Sequence, residues 1–122
     1  CMVAAEAEAR NQHVVGSPHY FAPELVQGSP ASAQTDIYSL GIMFHEMLVG
    51  KRPFLAKTAR DLAMMHISAP IPTLPEELSV YQALHDGLLA KNPAERFQTA
   101  DDVLMAVDEV WTYIAVKAAQ LK

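Results

Sequence analysis

The longest apolar stretch of the chain lies near its middle, at residues 36–49, and it has almost no polar face. A helix that is apolar on nearly every side is a buried helix. Thr35 or Asp36 is the expected N-cap, and Gly50, followed by two cations and a proline, is the expected stop signal. The pattern predicts a central helix over about 35–50, enclosed by other elements.

Three further helices are predicted from apolar residues at helical spacing. The first covers about 58–68 and opens at Thr58 in capping-box spacing. The second begins at a Ser79 cap and stops before Pro93, and the third is long and begins at a Thr99 cap. Their apolar stripes consist of Leu62, Met65 and Ile67; Val80, Leu84 and Leu88; and Val103, Val107, Val110, Ile114, Ala118 and Leu121.

The remaining segments are expected to be irregular. Two prolines and a glycine make 16–24 a loop, with a brief helical turn over 23–27. The proline-rich stretch 69–75 is predicted to be an extended connector. Residues 1–15 are rich in Ala and Glu but too short for a stable isolated helix, so we expect them to be poorly ordered. No run alternates apolar and polar residues, and the predicted class is therefore all-α.

Composition narrows the possible classes of function. The chain has 122 residues, 51% of them hydrophobic and 19% charged, which suits one globular domain. The formal charge is -5 and the basic residues are scattered, so no nucleic-acid partner is expected. The single cysteine, Cys1, excludes an internal disulfide. No stretch resembles a membrane span or a signal peptide, so a cytoplasmic location is expected, and the start at Cys1 suggests a severed chain.

Four motifs in order resemble one known family. Their order and spacing are similar to the C-terminal part of the catalytic domain of bacterial eukaryotic-like (Hanks-type) serine/threonine protein kinases, over residues 16 to about 111. The resemblance implies part of a kinase large lobe, with residues 1–15 a remnant of the activation segment and 16–122 the large-lobe helices. The motifs are Gly16-Ser17-x-x-Tyr20-x-Ala22-Pro23-Glu24, Asp36-Ile-Tyr-Ser39-Leu-Gly41, Pro53-Phe54 and Lys91-Asn92-Pro93-x-x-Arg96-Phe97.

The resemblance implies a substrate-docking loop formed by Gly16, Ser17, Pro18, His19 and Tyr20. Ser17 stands where the family usually has threonine, whose hydroxyl bonds to the aspartate and lysine of the catalytic loop. Pro18, His19 and Tyr20 are expected to line the substrate pocket. From the residues alone, a turn role is favoured for Ser17 and a solvated loop position for His19.

Three further residues are assigned structural roles by the resemblance. Glu24 and Arg96 match a buried ion pair that ties the activation segment to the loop before the last helix, and a guanidinium fork fits a carboxylate bidentately. The alternative is two unrelated surface charges. Asp36 matches a residue that braces the catalytic loop, whereas on its own it is an anion favoured at a helix N-terminus. Tyr38 replaces the tryptophan common at its position.

The motifs that carry phosphoryl transfer in this family do not occur in the sequence. These are a glycine-rich loop, a strand lysine, a catalytic aspartate with its asparagine, and a metal-binding Asp-Phe-Gly. We therefore expect no catalytic, cofactor-binding or metal-binding residue here, and no ATP binding by the chain alone. The parent kinase is expected to use ATP and Mg²⁺ to phosphorylate Ser or Thr in a protein substrate. Residues 1–15 hold no hydroxyl acceptor for activating phosphorylation.

Two classes of function remain open on these residues. The first is a piece of an active kinase that has lost its small lobe and associates with itself through exposed apolar surface. The second is a stand-alone, non-catalytic helical module that binds other proteins and keeps only the shape of a kinase lobe. A DNA-binding helical domain is disfavoured by the acidic charge balance. Parent kinases of this type often continue into a membrane anchor, which these residues do not contain.

Overall fold

The computed structural model describes residues 20–121, and the expectation for residues 1–15 falls outside that range. Within it the chain is helical and contains no strand, so the predicted all-α class is confirmed. No helix in this part of the chain is both long and apolar enough to cross a membrane. The helices are α1 (Pro23–Val26), α2 (Ala33–Val49), α3 (Ala59–Ser68), α4 (Gln82–Leu89) and α5 (Ala100–Gln120), with 3₁₀ helices at Glu76–Tyr81 and Pro93–Glu95.

Helix α2 begins earlier than predicted. Its N-cap is Ser32, whose hydroxyl accepts the backbone N–H of Thr35 at 3.3 Å. The Thr35 hydroxyl in turn accepts the Ser32 N–H at 3.1 Å, which completes a capping box. The prediction of Thr35 or Asp36 as N-cap is therefore wrong, because the preceding serine reaches the free amides first. Gly50 ends the helix in the left-handed conformation, with φ 84°, as its position indicated.

Two of the other predicted caps are confirmed. The hydroxyls of Thr58 and Thr99 each accept a backbone N–H three residues later, at 3.1 Å, and so begin α3 and α5. The predicted Ser79 cap is wrong. Ser79 lies inside a 3₁₀ helix that runs directly into α4, and it is the Ser79 carbonyl that accepts the N–H of Gln82. The 3₁₀ turn supplies this acceptor, so α4 begins without a side-chain cap.

Helix α2 is shared by both hydrophobic clusters of the described residues. Its Tyr38 and Ile42 belong to one cluster, and its Ile37 belongs to the other. Helix α2 therefore contributes buried side chains to both clusters, together with α3, α4 and α5, but it is not enclosed on every side as predicted. The first cluster also contains Ala22, Phe54, Leu62 and Leu89, and the second contains Leu84, Leu88 and Val103.

Helices α2 and α4 pack tightly against each other at Gly41. A methyl group at this position would lie 2.8 Å from the Cβ atom of Leu88 and 2.9 Å from Cδ2 of Leu89. Both distances are shorter than van der Waals contact, so a residue larger than glycine would push the helices apart. The absence of a side chain at Gly41 therefore sets the distance between α2 and α4.

One face of α2 is left uncovered by the described residues. Leu40, Met43 and Met47 are 45%, 49% and 78% exposed and follow one another at helical spacing, so they form a single apolar stripe. We expect the chain to form a dimer or larger species in light scattering at micromolar concentration. The double variant Met43→Glu/Met47→Glu should be monomeric, whereas Met64→Glu, at an exposed methionine of α3, should not change the mass. A monomeric wild-type chain would contradict this expectation.

Candidate functional site

Glu24 and Arg96 meet in a buried ion pair although 72 positions separate them. Nη1 of Arg96 lies 2.8 Å from Oε2 of Glu24, and Nη2 lies 3.1 Å from Oε1. Arg96 is 2% exposed and Glu24 is 8% exposed. Two parallel charge-assisted hydrogen bonds of this kind are the geometry that arginine and a carboxylate favour. The pair joins α1 to the loop that precedes α5, and we call it the Glu24–Arg96 anchor.

The guanidinium of Arg96 makes a hydrogen bond with each of its five N–H groups. Besides the two bonds to Glu24, Nε donates to the carbonyl of Ala90 at 2.9 Å. Nη1 donates to the carbonyl of Gln34 at 2.7 Å, and Nη2 donates to that of Lys91 at 3.2 Å. Because lysine has neither five donors nor a planar fork, only arginine can satisfy all of these acceptors. Arg96 therefore connects α1, the first turn of α2 and the loop after α4.

The Thr35 hydroxyl completes the surroundings of the carboxylate. It donates to Oε2 of Glu24 at 2.9 Å while accepting the Ser32 N–H described above. Burial alone raises the pKa of Glu24, but the hydrogen bonds and charge of Arg96, with the Thr35 hydroxyl, outweigh burial and hold the pKa below its usual range. The Thr35 contact was missed in the sequence, where this residue was interpreted only as a helix cap.

A second buried polar pair joins α2 to α3. The Tyr38 hydroxyl lies 2.7 Å from Nδ1 of His66, and both side chains are fully buried. Burial raises the pKa of Tyr38 far above its usual value, so the phenol stays protonated and can donate to an unprotonated Nδ1. The guanidinium of Arg96 lies over the Tyr38 ring at 4.9 Å, and the Phe54 ring meets His66 edge to face. Tyr38 therefore links the Glu24–Arg96 anchor to α3.

Lys91 holds the carboxyl end of α3. Its Nζ donates to the carbonyls of Met65 at 3.2 Å and His66 at 2.8 Å, and it lies 4.2 Å from the centre of the Phe54 ring. A cation is favoured at a helix C-terminus and over an aromatic face. Burial, and then the charge of Arg96, lower the pKa of Lys91 to about 8. The sequence motif contained Lys91, but its spacing gave no sign of these long-range acceptors.

The remaining predicted site residues lie at other points of the chain. Tyr20 is half-buried, and its carbonyl accepts the hydroxyl of Ser39 at 2.9 Å. The pKa of its phenol is raised by a hydrogen bond to Glu46 and by burial. Asp36 lies in the first turn of α2 and is exposed, whereas Glu24 and Arg96 are buried. The positions of Gly16, Ser17, Pro18 and His19 lie outside the described residues.

The protein kinase domain family matches residues 2–109, and the chain belongs to this family. The predicted relationship to bacterial serine/threonine kinases is confirmed by similarity over most of the chain. The serine/threonine-protein kinase PknA of Corynebacterium glutamicum is 36% identical over 108 residues, covering 88% of this chain. PknA of Mycobacterium tuberculosis is 41% identical over 98 residues, covering 80%.

A third relative is also named as a serine/threonine kinase. The serine/threonine-protein kinase PrkC of Bacillus subtilis is 38% identical over 94 residues, which covers 74% of this chain. The chain spans 23% of the length of each of the two PknA proteins and 14% of PrkC. The matched region is therefore a small part of each relative.

Proposed function

We propose that this chain is the C-terminal part of the catalytic domain of a serine/threonine protein kinase, and that it holds the substrate-docking loop on the large-lobe scaffold. The observation that carries the proposal is the Glu24–Arg96 anchor, in which one buried guanidinium holds the end of that loop against α2 and the segment before α5. In the intact kinase the acceptor is a serine or threonine of a protein substrate.

Three contacts within five residues support the docking role. The Tyr20 carbonyl is bonded to Ser39, Ala22 is completely buried, and Glu24 is held by Arg96. A binding loop works best when a rigid scaffold positions it. We propose that Ser17, Pro18 and His19, which precede these contacts in the sequence, bind the peptide. Asp36, at the start of the same scaffold helix, is proposed to brace the catalytic loop of the parent kinase.

The residues of this chain do not fit ATP and magnesium. Phosphoryl transfer needs backbone amides and cations around the phosphates, and carboxylates that hold the metal. None of the family's motifs for these groups occurs in the sequence. A surface cavity of about 380 Å³ lies between the Glu76–Tyr81 helix and α5, and its lining contains Glu109 but no cation. We propose that other residues of the parent kinase supply the nucleotide site.

The chain alone is expected to show no saturable change in melting temperature with MgATP at millimolar concentration. A ligand stabilises a protein only when it binds the folded state, and the groups that would bind it are not among these residues. Differential scanning fluorimetry with MgATP, against MgCl₂ alone as control, makes the measurement. Saturable stabilisation that requires the nucleotide would contradict the proposed inactivity.

A chimeric kinase tests the proposed function directly. The part of M. tuberculosis PknA that aligns with residues 16–109 is replaced by those residues of this chain. The measurement is transfer of radiolabelled phosphate from ATP to a peptide containing serine and threonine. We expect the chimera to phosphorylate the peptide, because the scaffold and docking loop come from this chain and the nucleotide site from PknA.

The controls separate the kinase proposal from a binding module. Glu24→Ala in the chimera should remove most of the transfer, whereas Met64→Ala, at an exposed position of α3, should leave it unchanged. A chimera that folds, binds ATP and yet transfers no phosphate would overturn the proposal. That result would favour the alternative, a non-catalytic helical interaction module with the shape of a kinase lobe.

A further inference from the structure

Two buried histidines form a hydrogen bond between α2 and α4. His45 comes from α2 and His85 from α4, and they are 5% and 0% exposed. Nδ1 of His45 lies 2.8 Å from Nε2 of His85, with the ring centres 5.1 Å apart. Neither residue contributes to the Glu24–Arg96 anchor. A buried imidazole pair is costly unless its hydrogen bonds are satisfied, so its proton arrangement decides whether the contact is stable.

The carboxylate of Asp86 determines which nitrogens of the two imidazoles carry protons. Nδ1 of His85 lies 3.2 Å from Oδ1 of Asp86, and the Gln82 amide donates to the same oxygen at 2.7 Å. Since a carboxylate only accepts, His85 carries its proton on Nδ1, and its Nε2 accepts a proton from Nδ1 of His45. In this state both rings are neutral, and a single proton lies between them.

The pair can accept one more proton but not two. With one added proton, His85 donates from both nitrogens, to Asp86 and to Nδ1 of His45, while His45 carries its own proton on Nε2. With a second added proton, two N–H groups would face each other at the observed 2.8 Å. Two buried cations would also lie side by side. The second proton therefore requires the rings, and the helices that carry them, to separate.

The charges around the two histidines do not allow the pair to accept a second added proton. Asp86 faces His85, and Glu46 on α2 acts on His45 while lying 3.8 Å from Arg52. Burial and then the charge of His85 lower the pKa of His45, and the opposing effect of Glu46 is smaller. Within residues 20–121, the titratable groups shown to act on the two imidazoles are Asp86 on α4 and Glu46 on α2.

We propose that His45, His85 and Asp86 form an acid-sensitive latch that holds α4 against α2 at neutral pH and opens when the pair takes up a second proton. The latch lies close in sequence to the anchor. Helix α4 leads directly into Ala90 and Lys91, whose carbonyls accept two of the five N–H groups of Arg96. Opening of the latch therefore loosens the segment that holds Arg96.

The expected pH dependence follows from the number of protons bound. In the unfolded chain both histidines titrate near the ordinary pKa of about 6.5, whereas the folded pair binds at most one proton. The unfolded state thus binds more protons below this pH, so stability falls as the pH falls. If the folded pair binds its one proton with the ordinary pKa, exclusion of the second proton raises the unfolding equilibrium constant by about 25-fold between pH 7 and pH 5.

Urea unfolding of the 122-residue chain at pH 7 and pH 5 tests the latch. The matched variant is His45→Phe/His85→Leu, which removes both polar partners together and leaves every other titratable group in place. We expect the unfolding constant of the wild type to rise more than that of the variant, by about the 25-fold factor given above. Equal pH dependence in the two proteins would overturn the proposal.

A second measurement decides the matter if the double variant does not fold. The ¹⁵N chemical shifts of the imidazoles in the wild-type chain report the protonation of each ring between pH 7 and pH 5. We expect the folded chain to bind one proton at the pair, with the amides of α4 losing protection from hydrogen exchange as the second proton binds. Two fully protonated rings in a chain that keeps this protection would overturn the proposal.

Discussion

Replacement of Arg96 by alanine is expected to lower the free energy of unfolding by about 3–5 kcal/mol, the usual penalty for removing one partner of a buried ion pair. The variant would leave the Glu24 carboxylate with the Thr35 hydroxyl as its remaining side-chain donor. It would also leave the carbonyls of Gln34, Ala90 and Lys91 without the donor they now share. Urea unfolding followed by circular dichroism measures the difference.

The control for this prediction is a partly exposed ion pair of the same chemical type. Arg52 lies 3.8 Å from Glu46, and its side chain is 40% exposed. Arg52→Ala should therefore change the free energy of unfolding by no more than about 1 kcal/mol. If Arg96→Ala is as mild as Arg52→Ala, the anchor does not hold the fold together. Arg96→Lys should fall between the two, because lysine keeps the charge but loses the fork.

The loss caused by Arg96→Ala should also depend on pH. The folded pKa of Glu24 lies below its ordinary value of 4.5. Stability from this carboxylate is therefore fully present above the ordinary value and is lost as the pH falls through the lower, folded value. The difference in stability between the wild type and Arg96→Ala should shrink over that acid range. If the difference in stability between the wild type and Arg96→Ala does not change with pH, loss of the bond to Glu24 is not what destabilises the variant.

Replacement of Leu89 by alanine is expected to cost about 2–5 kcal/mol. Leu89 is completely buried, and it packs in the cluster that contains Tyr38 and Ile42 of α2. Its removal leaves a cavity at the contact between α2 and α4, where Gly41 offers no side chain to fill the space. Thermal and urea unfolding of the variant provide the measurement.

A second substitution shows whether the cost comes from packing at this contact. Gly41→Ala alone should destabilise the chain by about 1–3 kcal/mol, since its new methyl group would press on Leu88 and Leu89. In the Leu89→Ala background the same methyl group has more room, so its penalty should be smaller. Strictly additive effects would contradict close packing between these positions, because residues in contact normally couple.

Local signals in the sequence were sufficient to predict most helices and their ends. The Thr58 and Thr99 caps and the Gly50 terminus were predicted because each depends on residues within one turn of the helix. The N-cap of α2 was placed at Thr35 or Asp36, although Ser32 completes a capping box with Thr35. Several hydroxyls and acids near one helix start compete for the same amides, and only the backbone geometry decides between them.

Ser79 shows a different limit of local signals. A serine before an apolar helical stripe is typical of an N-cap, and the stripe through Leu84 and Leu88 is indeed buried. The chain enters α4 through a 3₁₀ helix, and the Gln82 side chain accepts the backbone N–H of Leu74 at 2.8 Å. This contact between the connector and the helix start is not local to the serine. The cap signal therefore could not indicate where the α-helix begins.

By itself, the sequence determined the all-α class, the approximate helices and the kinase family, because each depends on short-range spacing or on an ordered set of motifs. Tertiary structure alone decided how buried polar groups are paired. The bonds of Arg96 to Glu24 and Gln34, the contact of Tyr38 with His66 and that of His45 with His85 join positions far apart in the chain. Such pairs form because packing brings helices together and each buried polar group must then find a partner, a condition that no local pattern encodes.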